Sequence, residues 1–160
     1  MIPRVYIETS IPSFFYDERK SHEAISRRNW TISWWNNSTE FEKVTSIAVI
    51  GELSFIPNLK KREHCLRLIH QIPLLLLKPE IEHIVTSYIN NRIMPEDTGG
   101  DALHLALASF YKCDYLLTWN CKHLANANKF DQIRWLNNIL GLYVPKIVTP
   151  LELMGNIYDT

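Results

Sequence analysis

The chain has 160 residues, 46% of them hydrophobic and 21% charged, which is the balance of an ordinary globular domain able to bury one core without disulfides or a structural metal. Seventeen basic residues offset seventeen acidic ones, so no global positive field marks a nucleic-acid binder, although a local basic patch is enough for one. Three cysteines, Cys65, Cys113 and Cys121, with no C-x-x-C pair, argue against a secreted disulfide framework and for a reduced, cytoplasmic compartment. The first seven residues hold no long apolar core of the signal-peptide kind, and the longest apolar run, 72–77, is far too short to cross a bilayer, so no membrane association is expected.

In chain order, Val5-Tyr6-Ile7 is a β-rich run closed by Glu8-Thr9-Ser10 and Pro12, which predicts a buried and central first strand over residues 4–8. A helical turn follows over 11–16, then a solvated break. Ser21 is placed to cap a helix over 22–36, with Ala24, Ile25, Ile32 and Trp35 at helical spacing and Trp30 and Trp34 widening the stripe. A second strand is expected over 41–45, and Ser46 is placed to cap a helix over 47–55 that Pro57 ends. Residues 60–70 form an amphipathic helix with Cys65, Leu66 and Ile69 inward. Leu74 to Leu77 is a continuous apolar run between prolines, the pattern of a strand covered on both faces.

Residues 80–93 are helical, with Ile81, Ile84, Val85, Tyr88 and Ile89 on one face, and 95–100 form the longest loop. Asp101 then opens a helix that is apolar almost all round, the mark of a buried helix. It leads into a strand over 115–119 that ends on Asn120. A helix over 130–140 stops at Gly141, Ile147-Val148 is a last strand, and Pro150 starts a final helical turn. Strands alternate with helices throughout. The economical fold is therefore one α/β domain over residues 1–160, with about five mostly parallel strands near residues 5, 43, 75, 117 and 147 and helices on both faces.

Three carboxylates draw attention. Glu8 sits where the first strand exits, in the place of a turn-capping acid or of a ligand. Glu52 has Ala48, Val49, Leu53 and Ile56 as neighbours on one helical face, and an acid inside an apolar stripe needs a partner. The alternative has Ile47, Ile50 and Ser54 facing the core and Glu52 facing water. Asp101 is either a helix cap or a site residue, and His104, one turn on, reads as packed or hydrogen-bonded near the helix start. If the three acids converge at one rim of a parallel sheet, beyond the strands' carboxyl ends, their mutual repulsion is relieved by a divalent cation. An oxygen-rich site of this kind takes Mg2+ or Mn2+ and suits phosphoryl chemistry.

Four stretches, VYIETSIPSFF, TSIAVIGELSF, GGDALHLALAS and DYLLTWNCKHLANA, resemble in this order the PIN-domain family, including the VapC-like toxins of bacterial type II toxin–antitoxin pairs. The order and spacing of the four cover nearly the whole chain. The resemblance implies a three-layer α/β/α fold and a metal-dependent endoribonuclease that cuts RNA with an activated water. Carried over residue by residue, Glu8, Glu52 and Asp101 match metal-binding carboxylate positions. Glu8 stands where the family usually has Asp, one methylene shorter. Asn120 stands where the family commonly has Asp; it supplies a carbonyl but no negative charge, which weakens any second metal position.

Thr9 and Thr118 are candidate hydroxyl contacts to substrate, and Lys122 and His123 are candidate phosphate contacts. The family also implies an antitoxin partner and a homodimer. A catalytically degenerate PIN-like domain that binds RNA or protein is the alternative, supported by Asn120 and the neutral net charge. A phosphohydrolase with an aspartyl nucleophile is disfavoured, because Glu8-Thr9-Ser10 lacks the Asp such enzymes carry at the first strand. Cys121 and His123 lack the second pair a zinc site needs, and Cys113 reads as structural rather than nucleophilic.

Overall fold

A computed structural model of the chain describes residues 1–94, 100–120 and 127–158. Five strands, β1 (Arg4–Ile7), β2 (Glu42–Ser46), β3 (Leu74–Leu75), β4 (Tyr115–Leu117) and β5 (Lys146–Val148), form one sheet in the order β3-β2-β1-β4-β5. Every neighbouring pair is parallel, with Tyr6 opposite Val44 on one side and Leu116 on the other. The helices are α1 (Ser10–Phe15), α2 (His22–Asn36), α3 (Ile47–Leu53), α4 (Leu59–Ile69), α5 (Pro79–Asn90), α6 (Asp101–Phe110), α7 (Ala127–Leu140) and α8 (Pro150–Tyr158). The result is the three-layer α/β/α arrangement of the PIN-like fold.

β1 is the middle strand, and Val5, Tyr6 and Ile7 are all fully buried. Successive strand residues point to opposite faces, so burial of all three means that both faces are covered. The chain builds outward from β1 through β2 to β3, then returns to pair β4 on the other side of β1. That reversal opens a crevice beyond the carboxyl ends of β1 and β4, the place where open parallel sheets bind ligands.

α6 starts at this crevice and runs away from it toward the beginning of β4. Eight of its ten residues are buried, as its all-round apolar sequence requires. Leu105 lies at its centre and is fully buried, on a helix that packs against α5 and β4. Leu105→Ala should cost about 2–5 kcal/mol through lost transfer energy and the cavity left behind. In a chain of this size that lowers the melting temperature by on the order of 5–15 °C, which calorimetry will read.

Ser21 caps α2 as its position suggests, its Oγ accepting from the Ala24 amide at 3.2 Å. Gly141 ends α7 in the left-handed region (φ 71°), and the Leu142 amide reaches back to the Asn137 carbonyl at 2.8 Å. Burial pushes the Cys65 thiol up to about 11 and the Cys113 thiol up to about 12, so both buried cysteines are inert packing residues.

Three local expectations fail for identifiable reasons. The apolar run at 74–77 is not a doubly covered strand. β3 is a two-residue edge strand paired only with β2, and Leu76 and Leu77 lie beyond it, 69% and 51% exposed. On α2 the inward face is Ala24, Thr31 and Trp34, while Ile25 is exposed. Thr31 faces the core because its hydroxyl accepts from the Trp119 indole at 2.8 Å and donates to the Arg27 carbonyl at 2.6 Å. Ser46 precedes α3 but makes no capping hydrogen bond there; its hydroxyl lies 2.8 Å from the Tyr6 hydroxyl.

Candidate metal centre at the sheet switch point

Glu8 leaves β1 at the crevice and is buried there. Among the described residues its side chain is held through Oε2, which accepts from the Ser10 amide (2.9 Å), the Thr118 hydroxyl (2.8 Å) and the Ser10 hydroxyl. The Ser10 hydroxyl in turn accepts from the Trp119 amide at 2.8 Å, and the Thr118 hydroxyl accepts from the Asn120 amide at 2.9 Å. Two hydroxyls thus tie the exits of β1 and β4 together and fix the Glu8 carboxylate. Ser10 is the member of this set that sequence reasoning treats only as a turn residue. Its position two residues after an acid is the signal that could have found it, since at that offset both its amide and its hydroxyl reach the Glu8 carboxylate.

This geometry alters the part expected of the two threonines. Thr118 is fully buried and hydrogen-bonded to Glu8 and the Asn120 backbone amide, so it positions those groups. The Thr9 hydroxyl is buried with no hydrogen-bond partner among the described residues, which removes it from the surface a substrate would touch. Lys122 and His123, the expected phosphate contacts, lie outside the described residues.

Glu52 approaches from α3. Val49 and Leu53 on the same helix are buried, whereas Ile47 and Ser54 are exposed, so α3 turns the Glu52 face toward the core and not toward water. Its side chain is 33% exposed, and Oε1 lies 2.6 Å from Nε2 of His104. His104 is fully buried on α6, and its Nδ1 lies 2.7 Å from the Tyr6 hydroxyl. A continuous chain therefore runs Ser46–Tyr6–His104–Glu52.

Burial alone would lower the His104 pKa. The Glu52 hydrogen bond and the charges of Glu8, Glu52 and Asp101 outweigh it and raise the value above the ordinary one. Burial raises the Tyr6 phenol well above its usual value; the Ser46 hydrogen bond opposes this, and the charges of Glu8 and Glu52 add to it, so Tyr6 stays protonated.

Asp101 is the first residue of α6 and is buried; Gly100 occupies the cap position. A carboxylate in the first turn is favoured by the helix dipole. Nδ2 of Asn120 lies 3.1 Å from each Asp101 carboxylate oxygen, so the amide where an acid is usual donates to the acid beside it. Gly100 has φ 103°, and a Cβ there would sit 2.7 Å from Oε1 of Glu52 and 3.6 Å from Nε2 of His104. Gly100→Ala should destabilise the fold by about 1–2 kcal/mol from backbone strain and displace Glu52. Denaturant unfolding together with Mn2+ titration will show both effects.

One ligand atom each from Glu8, Glu52 and His104 lies within 4.8 Å of the others, a group that could hold a metal ion. With metal–oxygen bonds of about 2.1 Å, ligands around one octahedral ion stand roughly 3–4 Å apart, so the donors need only small movements to converge on one ion. The ordered all-parallel sheet and the acids gathered at its switch point define an α/β/α domain of PIN-like fold with a candidate metal centre. The crystal structure of FitAcB from Neisseria gonorrhoeae has this architecture, with a TM-score of 0.56 at 14% sequence identity over 92% of this chain and 98% of that one. No sequence-family model and no curated protein matches the chain. No helix among the described residues is long and apolar enough to cross a membrane.

Proposed function

We propose that the chain is a divalent-metal-dependent endoribonuclease and the toxin of a type II toxin–antitoxin pair. The observation that carries this reading is the convergence of Glu8, Glu52 and His104, with Asp101 near enough for its charge to act on His104, at the switch point of a PIN-like sheet. Glu8 and Glu52 are the carboxylates that hold Mg2+ or Mn2+, with Asp101 beside them. A bound ion of this kind activates water and offsets the charge that develops on a phosphate.

The residues supply the rest. Ser10 and Thr118 fix the Glu8 carboxylate, and His104 fixes Glu52. Asp101 and Asn120 border the same crevice. Water adds to the phosphorus in line with the departing 3′-oxygen, which leaves as a 3′-hydroxyl, and the other fragment keeps a 5′-phosphate. Lys122 and His123 are the proposed backbone contacts. An antitoxin partner is part of the same reading and rests on the sequence resemblance and the fold shared with FitAcB; a homodimer is also part of it and rests on the sequence resemblance alone. A cytoplasmic location belongs to the same reading and rests on the cysteine usage.

The test is cleavage of 5′-labelled single-stranded RNA. The protein should cut it with Mn2+ or Mg2+, fall silent with a chelator, and recover when metal is returned. Asp101→Asn should remain folded and lose most of the activity. Undiminished cleavage by Asp101→Asn, or by protein freed of metal, overturns the reading.

One observation favours a second reading. Because Asn120 donates to both oxygens of Asp101, the chain replaces a metal-hungry pair of acids by a hydrogen-bonded pair with one charge fewer. A degenerate PIN-like domain that binds RNA or a protein without cutting is built this way. Calorimetric titration with Mn2+ separates the two, since a folded protein that takes up no ion belongs to the second.

A further inference from the structure

We propose that His104 is itself a ligand through Nε2, which makes the centre a mixed nitrogen–oxygen site that prefers a first-row transition ion such as Mn2+ to Mg2+. This rests on the reading above that the cluster holds a divalent ion, and it assigns the third ligand and the class of metal.

Four features of the site lead here. The ligand atoms of His104, Glu8 and Glu52 share one small volume. The far nitrogen of the ring, Nδ1, meets the Tyr6 hydroxyl at 2.7 Å, and Tyr6 meets Ser46 at 2.8 Å. Metal-bound histidines are held in this way, the outer nitrogen donating to a fixed acceptor so that the inner lone pair faces the ion. In the metal-free protein a proton joins Nε2 to Oε1 of Glu52, 2.6 Å apart; an ion that displaces this proton would meet the Nε2 lone pair while Nδ1–H donates to Tyr6.

The third feature is Gly100, whose lack of a side chain lets the backbone approach the pair so closely that a Cβ would sit 2.7 Å from Glu52 Oε1 and 3.6 Å from His104 Nε2. The last is the Asn120 side-chain amide, which donates to both oxygens of Asp101 and so weakens that carboxylate as a competing ligand. Imidazole suits transition ions, whereas Mg2+ favours oxygen and keeps its waters. Tyr6 is therefore a positioning residue, acting through His104.

The experiment is electron spin echo spectroscopy on the full chain loaded with Mn2+, which detects nitrogen bonded to the ion. The wild type should show a nitrogen coupling that changes isotope pattern when histidine is supplied as 15N, and His104→Gln should lose it. Because His104 is buried and its replacement can disturb folding, a second protein keeps His104 as its sole histidine; it should retain the coupling. In calorimetry, Mn2+ should bind at least about 10-fold tighter than Mg2+, and Tyr6→Phe should weaken Mn2+ by roughly 10-fold or more. Bound Mn2+ without nitrogen coupling, or a coupling that survives His104→Gln, overturns the assignment while leaving the metal-dependent reading intact. A folded wild type that takes up no Mn2+ overturns both.

Discussion

Glu52→Gln should lower metal-dependent RNA cleavage by more than roughly 100-fold, exceeding the loss that outer hydrogen-bond partners of a metal site usually cause. The substitution keeps the shape and the carbonyl oxygen facing His104, and the side chain is partly exposed, so the fold should persist. What disappears is one of two negative charges that an ion at this position would meet. Mn2+ affinity should fall together with cleavage, and the melting temperature of the metal-free variant should stay within a few degrees of the wild type. Cleavage that survives while Mn2+ binding is lost would separate the chemistry from the ion and refute the proposed function.

Asn120→Asp should act in the opposite sense on metal binding and strongly on stability. The Asn120 amide donates to Asp101 at 3.1 Å. An aspartate there would place two carboxylates at that separation, which cannot both ionise without a cation or a shared proton. At an effective dielectric near 20, two charges about 4 Å apart repel by about 4 kcal/mol. The metal-free variant at neutral pH should melt lower by on the order of 5–10 °C. Mn2+ should restore it with a larger upward shift than it produces in the wild type. Acidification should restore it partly, because one proton then bridges the pair. Thermal melts at two pH values, with and without Mn2+, measure all three effects. A variant as stable as the wild type without metal would mean that the two side chains move apart.

Much of the framework is legible in the order of residues alone. The strands near residues 5, 43, 75, 117 and 147 all exist and all run parallel, because apolar runs separated by helical periods leave few other arrangements. The acid on α3 is legible from its neighbours: Val49 and Leu53 are buried, and Glu52 has a partner, as an acid in an apolar stripe must. The cap at Ser21 and the stop at Gly141 are local chemistry and appear where expected.

The misplaced details share a cause. Leu74 to Leu77 has the composition of a central strand, yet the sheet order puts it on the edge, and composition carries no information about order. Ile25 fits an apolar stripe better than Thr31 does, but Thr31 faces inward because Trp119, 88 residues away, offers an indole N–H to it.

For this protein the sequence determined what depends on neighbours along the chain: the alternation of strands and helices, the burial of α6, the caps, and which acids stand at element ends. Only the tertiary structure decided which of those groups meet. Ser10 and Thr118 converge on Glu8 across 108 residues, and Tyr6 and His104 meet across 98. Such contacts follow from β1 lying between β2 and β4, an order settled by the packing of the whole sheet and by no local segment. That packing is why His104, which in sequence reads as an ordinary buried histidine, stands at the centre of the candidate site.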